Sequence, residues 1–257
     1  MTSFSKNEPF VILLDLDHTI QGNILPQLEE YNLIDYINTH LLSGKKKNLK
    51  QNKDNVMGDF LKGLLRPYFK GFILRMKYRF PNVEFFVYTA SEDKWAKYIV
   101  SIIETVINVR FNKRIFSRSD CILNHQTGAL TKSINKLKPE LFKILKFKYK
   151  LKPRYAFNHI YLIDNNYVLN DEESHMLIKC PHYNTTIQID IFRSIPINII
   201  IDNLKSLSIH LLGYEENNIG TFYKKVFKKS MNSKLYYKDH YWNDQLKIFK
   251  QKYARIE

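Results

Sequence analysis

Five apolar residues in a row, Phe10 to Leu14, lead straight into Asp15, Asp17 and Thr19. A run so short and so apolar, ended by polar residues, fits a strand buried on both faces, the kind found in parallel sheets. Alternate side chains of a strand share a face, so Asp15 and Asp17 leave its end on the same side. Two carboxylates that close to a core are costly without a partner. A divalent cation removes the cost, and hard oxygen donors of this charge suit Mg²⁺. An aspartate-rich turn after a core strand is the plainer reading, and so short a motif does not by itself decide.

The chain has 257 residues and 44% hydrophobic content, enough for one large α/β domain or one domain with an insertion. It has no apolar run of about 18 residues, which argues against a membrane span. Residues 1–9 lack the apolar core of a secretory signal. Two cysteines, Cys121 and Cys180, are too few for a disulfide framework or a zinc cluster. Buried reduced thiols in an intracellular protein, cytoplasmic or nuclear, are the expectation, and the acceptor-like Asn184-Thr-Thr186 is read as chance. A net charge of +15 points to an acidic partner: a phosphorylated protein or peptide, nucleic acid, or an anionic surface. A composition rich in Lys and Asn throughout yields the same charge without any partner.

Downstream, strand, polar turn and helix alternate. Residues 25–42 are loosely helical, with Leu28, Tyr31, Ile34, Ile37 and Leu41 as the apolar positions. Residues 43–55 are polar, basic and aperiodic: a solvated loop, or else a basic arm beside the site. Arg66-Pro67 opens a helix carrying Phe69, Phe72, Ile73 and Met76, which Pro81-Asn82 stops. Residues 83–88 form a second strand ending in Thr89 and Ser91. Ser91 caps the next helix, whose stripe is Trp95, Ile99, Ile102 and Ile103. Short strand-like pieces occupy 111–130 around a turn at 124–128, and Pro139 starts a helix with Leu141, Ile144 and Leu145. Residues 159–163 are an apolar run into Asp164-Asn165-Asn166, and 185–191 alternate like another strand. A helix with Ile200, Leu204, Leu207 and Leu211 then stops at Gly213. Residues 214–257 interleave Lys with Tyr, Phe and Trp. They read as an amphipathic helix packed on the domain, with a nucleic-acid stacking surface as the rival.

Three strand ends therefore carry chemistry, with lysines between the last two. Ligands of open parallel sheets bind beyond the carboxyl ends of strands. A carboxylate nucleophile, an acid, hydroxyl and amide donors, a lysine and Mg²⁺ are the parts that phosphoryl transfer needs.

In this order the motifs Asp15-Leu-Asp-His-Thr19, Leu65-Arg-Pro67, Val87-Tyr-Thr-Ala-Ser91, Thr131-Lys132 and Leu162-Ile-Asp-Asn-Asn166 resemble the haloacid dehalogenase-like superfamily. The match is best with its NLI-interacting-factor-like branch, which includes phosphatases of the RNA polymerase II C-terminal domain. The resemblance covers about residues 10–213. It implies a Rossmann-like open, mostly parallel sheet with helices on both faces, a phosphatase domain over 1–213 with an insertion at 22–65, and a basic aromatic extension over 214–257.

Carried over, it implies that Asp15 attacks phosphorus and becomes an aspartyl phosphate. Asp17 would protonate the leaving oxygen and then activate water. Thr89 would hold a phosphoryl oxygen and Lys132 would stabilise its charge, with Lys136 and Lys138 as alternative lysines. Thr19, Ser91 and Arg66 would face the substrate. Asp15, the main-chain carbonyl of Asp17 and Asn165 would contact Mg²⁺, with Asp164 counted in the same metal site and orienting nearby groups. His18 stands where the family pattern has Glu, Tyr68 replaces a glycine, and Asn166 replaces a serine. The insertion looks helical and basic rather than β, which leaves the substrate open. A Mg²⁺-dependent phosphatase acting on phosphoserine or phosphothreonine in protein is the first expectation. A nucleic acid end phosphatase and a non-catalytic interaction protein on the same fold are the alternatives.

Overall fold

The structure is a computed structural model that describes residues 8–31, 33, 49–124, 128–153, 155–183 and 239–253. The described elements, in chain order, begin with β1 (Phe10–Leu14), α1 (Leu25–Glu30), α2 (Leu49–Asp59), a π-helical turn (Phe60–Leu64) and α3 (Phe69–Arg79). Then come β2 (Val83–Tyr88), α4 (Asp93–Ile107), β3 (Ile115–Phe116), β4 (Ile122–Leu123) and β5 (Leu130–Thr131). The last are α5 (Ile134–Tyr149), β6 (Ile160–Asp164), β7 (Leu177–Lys179) and α6 (Tyr241–Lys252).

β1 lies at the centre of a parallel sheet ordered β3-β2-β1-β6-β7. Neighbours on both sides and helices on both faces are why its five residues are all apolar and fully buried. Phe10, Ile12 and Leu14 join Phe85 and Val87 of β2 in a core covered by α3, α4 and α6. Val11 and Leu13 join Phe86, Tyr88, Ile160 and Leu162 in a second core under α5. Strand alternation thus splits one apolar run between two layers. The expected Rossmann-like architecture is the one observed.

Several local expectations change. Pro67 does not open α3. Leu65 bridges Gln21, and the Arg66 amide donates to Ile20 O at 2.8 Å. The chain is therefore still pinned beside the β1 turn, and Tyr68 (φ 63) swings it into the helix at Phe69. Residues 49–55 belong to α2 rather than to a loop, because Val56, Met57, Phe60 and Leu64 behind them are buried. Gly63 (φ 118) permits the bend that ends this segment. α5 starts five residues before Pro139, because the hydroxyl of Ser133 accepts from the Lys136 amide at 3.2 Å and caps it. Glu92, not Ser91, occupies the cap of α4.

Residues 34–48, the turn tip at 125–127 and everything at 184–238 lie outside the described residues. With them go the expected strand at 185–191, the helix ending at Gly213 and most of the basic tail. The part of the tail that is described, α6, is core: Trp242 is fully buried, 4.9 Å from Phe69 and 4.8 Å from Phe72 between ring centroids. Among the described residues no helix is long and apolar enough to cross a membrane.

Candidate active site

β2, β1 and β6 are neighbours and end side by side, so their polar ends meet in one place. After β1 the chain closes a tight turn in which Leu16 O accepts from the amides of Thr19 (3.2 Å), Ile20 (2.9 Å) and Gln21 (3.1 Å). His18 takes a left-handed conformation (φ 59) at its apex. The turn holds the carboxylate of Asp17 between two donors. Gln21 Nε2 donates to Oδ1 and Ser91 Oγ donates to Oδ2, both at 2.7 Å.

Lys132 is the hub. Its ammonium donates to Asp15 Oδ1 at 2.6 Å, Asp164 Oδ2 at 2.7 Å and Tyr88 O at 2.7 Å. It follows β5 directly, and its amide donates to Val168 O at 2.8 Å. The hydroxyl of Ser133, next in sequence, donates to Glu173 Oε1 at 3.2 Å. Lys136 reaches Cys121 O instead, and Lys138 makes no hydrogen bond to these carboxylates among the described residues.

Two carboxylates, Asp15 and Asp164, share this one ammonium, with the charge of Asp17 acting on Asp15 as well, and the electrostatics show it. Burial pushes the Asp15 carboxyl up to about 7; Lys132 opposes that, and Asp164 and Asp17 reinforce it. Burial works against the charge on Lys132, but Asp15 and Asp164 outweigh it and raise its pKa, so the lysine stays cationic.

Thr89 is 1% exposed, and its hydroxyl accepts from the Ser91 amide at 3.1 Å. Among the described residues its own hydrogen is donated to nothing, which leaves it for an incoming oxygen. Asp164 Oδ1 accepts from the Asn166 amide at 2.7 Å, so both Asp164 oxygens are taken. Asn165 sits beside it, Oδ1 accepting from Thr19 Oγ1 at 3.1 Å and Nδ2 lying 2.7 Å from His182 Nδ1.

Two expected substrate contacts are placed elsewhere. Thr19 is fully buried and braces Asn165 through both its side chain and its amide (3.0 Å). Arg66 is 2% exposed, and its guanidinium donates to Asp239 Oδ2 and Pro181 O, each at 2.9 Å, over the ring of Tyr241. It ties α6 to the β1 turn. Ser91 is at the site, but its proton goes to Asp17. Reasoning from sequence missed Gln21, Glu173, His182 and Asp239. None lies in a strand-end motif, and only the fold brings them near.

The donors fit Mg²⁺ chemically. Asp15 Oδ2 carries no hydrogen bond among the described residues, and the site has more negative charge than Lys132 neutralises. One carboxylate, one main-chain carbonyl and one amide oxygen make the sparse, water-retaining set that Mg²⁺ prefers. Among the described residues no three His, Cys, Asp or Glu side chains converge as a metal cage.

No curated protein matches the chain. Among solved structures it is similar to Fcp1, an essential RNA polymerase II C-terminal-domain phosphatase, at 15% identity and a TM-score of 0.44, over 96% of this chain and 62% of that one. It is similar to fission yeast Fcp1 bound to beryllium fluoride at 14% identity and a TM-score of 0.38, over 96% and 67% of the two chains. The HAD domain of the Legionella pneumophila effector Lem4 follows at 13% identity and 0.36, over 77% and 98%. The family model for NLI interacting factor-like phosphatases matches residues 10–191, a span that takes in every strand-end motif of the site. The chain belongs to the NLI interacting factor-like phosphatase family.

Proposed function

We propose that this protein is a Mg²⁺-dependent phosphatase that hydrolyses phosphate monoesters through an aspartyl phosphate on Asp15, with phosphoserine or phosphothreonine in protein as substrate. The observation that carries the reading is the pairing of Asp15 with Lys132 beside a second carboxylate, Asp17, gripped by Ser91 and Gln21. Lys132 can hold Asp15 as the nucleophilic carboxylate, and Asp17, fixed by two neutral donors, is the neighbouring carboxyl group available to carry a proton.

One carboxylate oxygen of Asp15 attacks phosphorus, and the ester oxygen leaves with a proton from Asp17. Asp17, again a carboxylate, then takes a proton from the water that attacks the acyl phosphate, which regenerates Asp15 and releases phosphate. Thr89 donates its hydroxyl hydrogen to a phosphoryl oxygen. Lys132 remains protonated and offsets charge on the phosphoryl group. Asp15, the Asp17 carbonyl and Asn165 would hold Mg²⁺, whose role is to neutralise the phosphoryl oxygens and orient them. Asp164, with both oxygens occupied, orients Lys132 instead of binding metal.

The net charge of +15 supports an acidic substrate surface. The test is hydrolysis of para-nitrophenyl phosphate with and without Mg²⁺, by wild type and Asp15→Asn, followed by competition between phosphopeptides and 5′- and 3′-phosphorylated oligonucleotides. Mg²⁺-dependent turnover lost in Asp15→Asn, with phosphopeptides preferred, is expected. Preference for oligonucleotides would transfer the substrate to nucleic acid ends. Absence of turnover by folded, Mg²⁺-supplied wild type would refute the enzyme.

A further inference from the structure

Asn165 is useful to a cation at only one end. A carboxamide binds a hard metal through its oxygen, while the NH₂ end repels it, and a half-turn about the last side-chain torsion exchanges the two. Two neighbours resist that half-turn. Thr19 Oγ1 donates to Oδ1 at 3.1 Å, and His182 Nδ1 lies 2.7 Å from Nδ2. The amide nitrogen can only donate, so His182 Nδ1 must accept, which makes its ring neutral with the proton on Nε2.

His182 is held in its turn. Its ring stacks on His18, with centroids 3.9 Å apart and planes 19° from parallel. His18 Nδ1 is 3.2 Å from Tyr183 O, and the Tyr183 amide donates to His18 O at 2.9 Å. The Cys180 amide also donates to Asp164 O at 2.9 Å, so the segment carrying His182 is laced to β6 at one end and to the β1 turn at the other. His18 is the residue at which this chain departs from the glutamate of the family pattern, and the stack gives that departure a use.

We propose that His182 is a positioning residue for the metal site: it captures the NH₂ end of Asn165 and so keeps the amide oxygen available to Mg²⁺, with His18 as the platform that holds its ring. The proposal rests on the Mg²⁺ reading above. An oriented second layer of this kind changes metal affinity about 10–100-fold when lost.

The test measures Mg²⁺ binding by calorimetry in substrate-free protein, with the Mg²⁺-free melting temperature as a control. His182→Phe keeps a ring for the stack and removes the acceptor. His182→Gln restores an acceptor oxygen. Because His182 is exposed, both variants should melt like wild type without metal. Binding weakened about 10-fold in His182→Phe and recovered in His182→Gln is the expected result. Mg²⁺ bound as tightly by His182→Phe as by wild type, while Asp15→Asn loses it, would overturn the positioning role and leave the metal site standing. Failure of wild type to bind Mg²⁺ would overturn the metal reading and this proposal with it.

Discussion

Lys132 and Asp15 form a buried ion pair at 2.6 Å, with the two side chains only 2% and 8% exposed. A pair this dry is held by mutual need, since removing one partner strands the other charge. Lys132→Met strands two, Asp15 and Asp164, and should destabilise the metal-free fold by about 3–5 kcal/mol. The loss should grow with pH. Asp15 already has a folded pKa of about 7 against an ordinary 3.8, so the fold favours its protonated form. Stability from that proton is present below the ordinary carboxylate pKa and disappears as pH rises through about 7. Urea unfolding of wild type and Lys132→Met across that window reads it. A loss that does not depend on pH would mean that Lys132 does not neutralise Asp15.

Asp17 should matter in proportion to how badly the leaving group needs a proton. A serine or threonine alkoxide needs one, while para-nitrophenolate needs little. Asp17→Asn should therefore slow phosphopeptide hydrolysis by about 10²–10⁴-fold. With para-nitrophenyl phosphate the first step survives better and the second fails, so a burst of nitrophenolate with phosphorylated Asp15 accumulating is expected. Ser91→Ala removes one of the two hydrogen bonds to the Asp17 carboxylate and should cost about 10-fold in kcat, the equivalent of a charged hydrogen bond. Equal loss on both substrates, without a burst, would count against proton donation by Asp17.

Glu173 is fully buried yet makes its contacts with one oxygen only. Oε1 accepts from Ser133 Oγ at 3.2 Å and from the Asn135 amide at 2.5 Å, while among the described residues Oε2 is buried without a partner. It anchors the first turn of α5 just behind Lys132. Glu173→Ala should lower stability by about 1–3 kcal/mol and reduce kcat with little change in KM, because it loosens the residue after Lys132. A fall in stability with kcat intact would confine Glu173 to capping.

The strand ends were readable because each advertises itself locally: apolar residues, then acid, amide or hydroxyl. β1, β2 and the Asp164 strand follow from that signal, and with them Asp15, Asp17, Thr89 and Asp164. The partners of these residues carry no such signal. Gln21, Glu173 and His182 look like any polar residue in a turn, and they acquire meaning only when distant segments meet. Arg66 misled for the opposite reason. Its motif was visible, but its charge is consumed by Asp239, far along the chain, and no local pattern foretells that pairing. α2 was misjudged because its polar first half hides the apolar positions that begin at Val56.

α6 supplies the sharpest test of how the C-terminal segment is used. Trp242 fills the space between Phe69 and Phe72 of α3, and Phe249 packs against Phe10 with ring centroids 5.6 Å apart. If this helix is core, Trp242→Ala should cost about 3–5 kcal/mol, as large aromatic deletions in cores do. Asp239→Ala should destabilise through Arg66, whose guanidinium would lose its carboxylate while remaining buried against Tyr241 and Tyr183. The two changes sit on the same tether, so the double variant should fall short of the sum of the singles. Urea denaturation followed by tryptophan fluorescence and by circular dichroism should give coincident, single transitions in wild type and Asp239→Ala. Unchanged stability in Trp242→Ala, or a separate early transition for the helix, would show that α6 is an appendage resting on the domain and that the core closes without it.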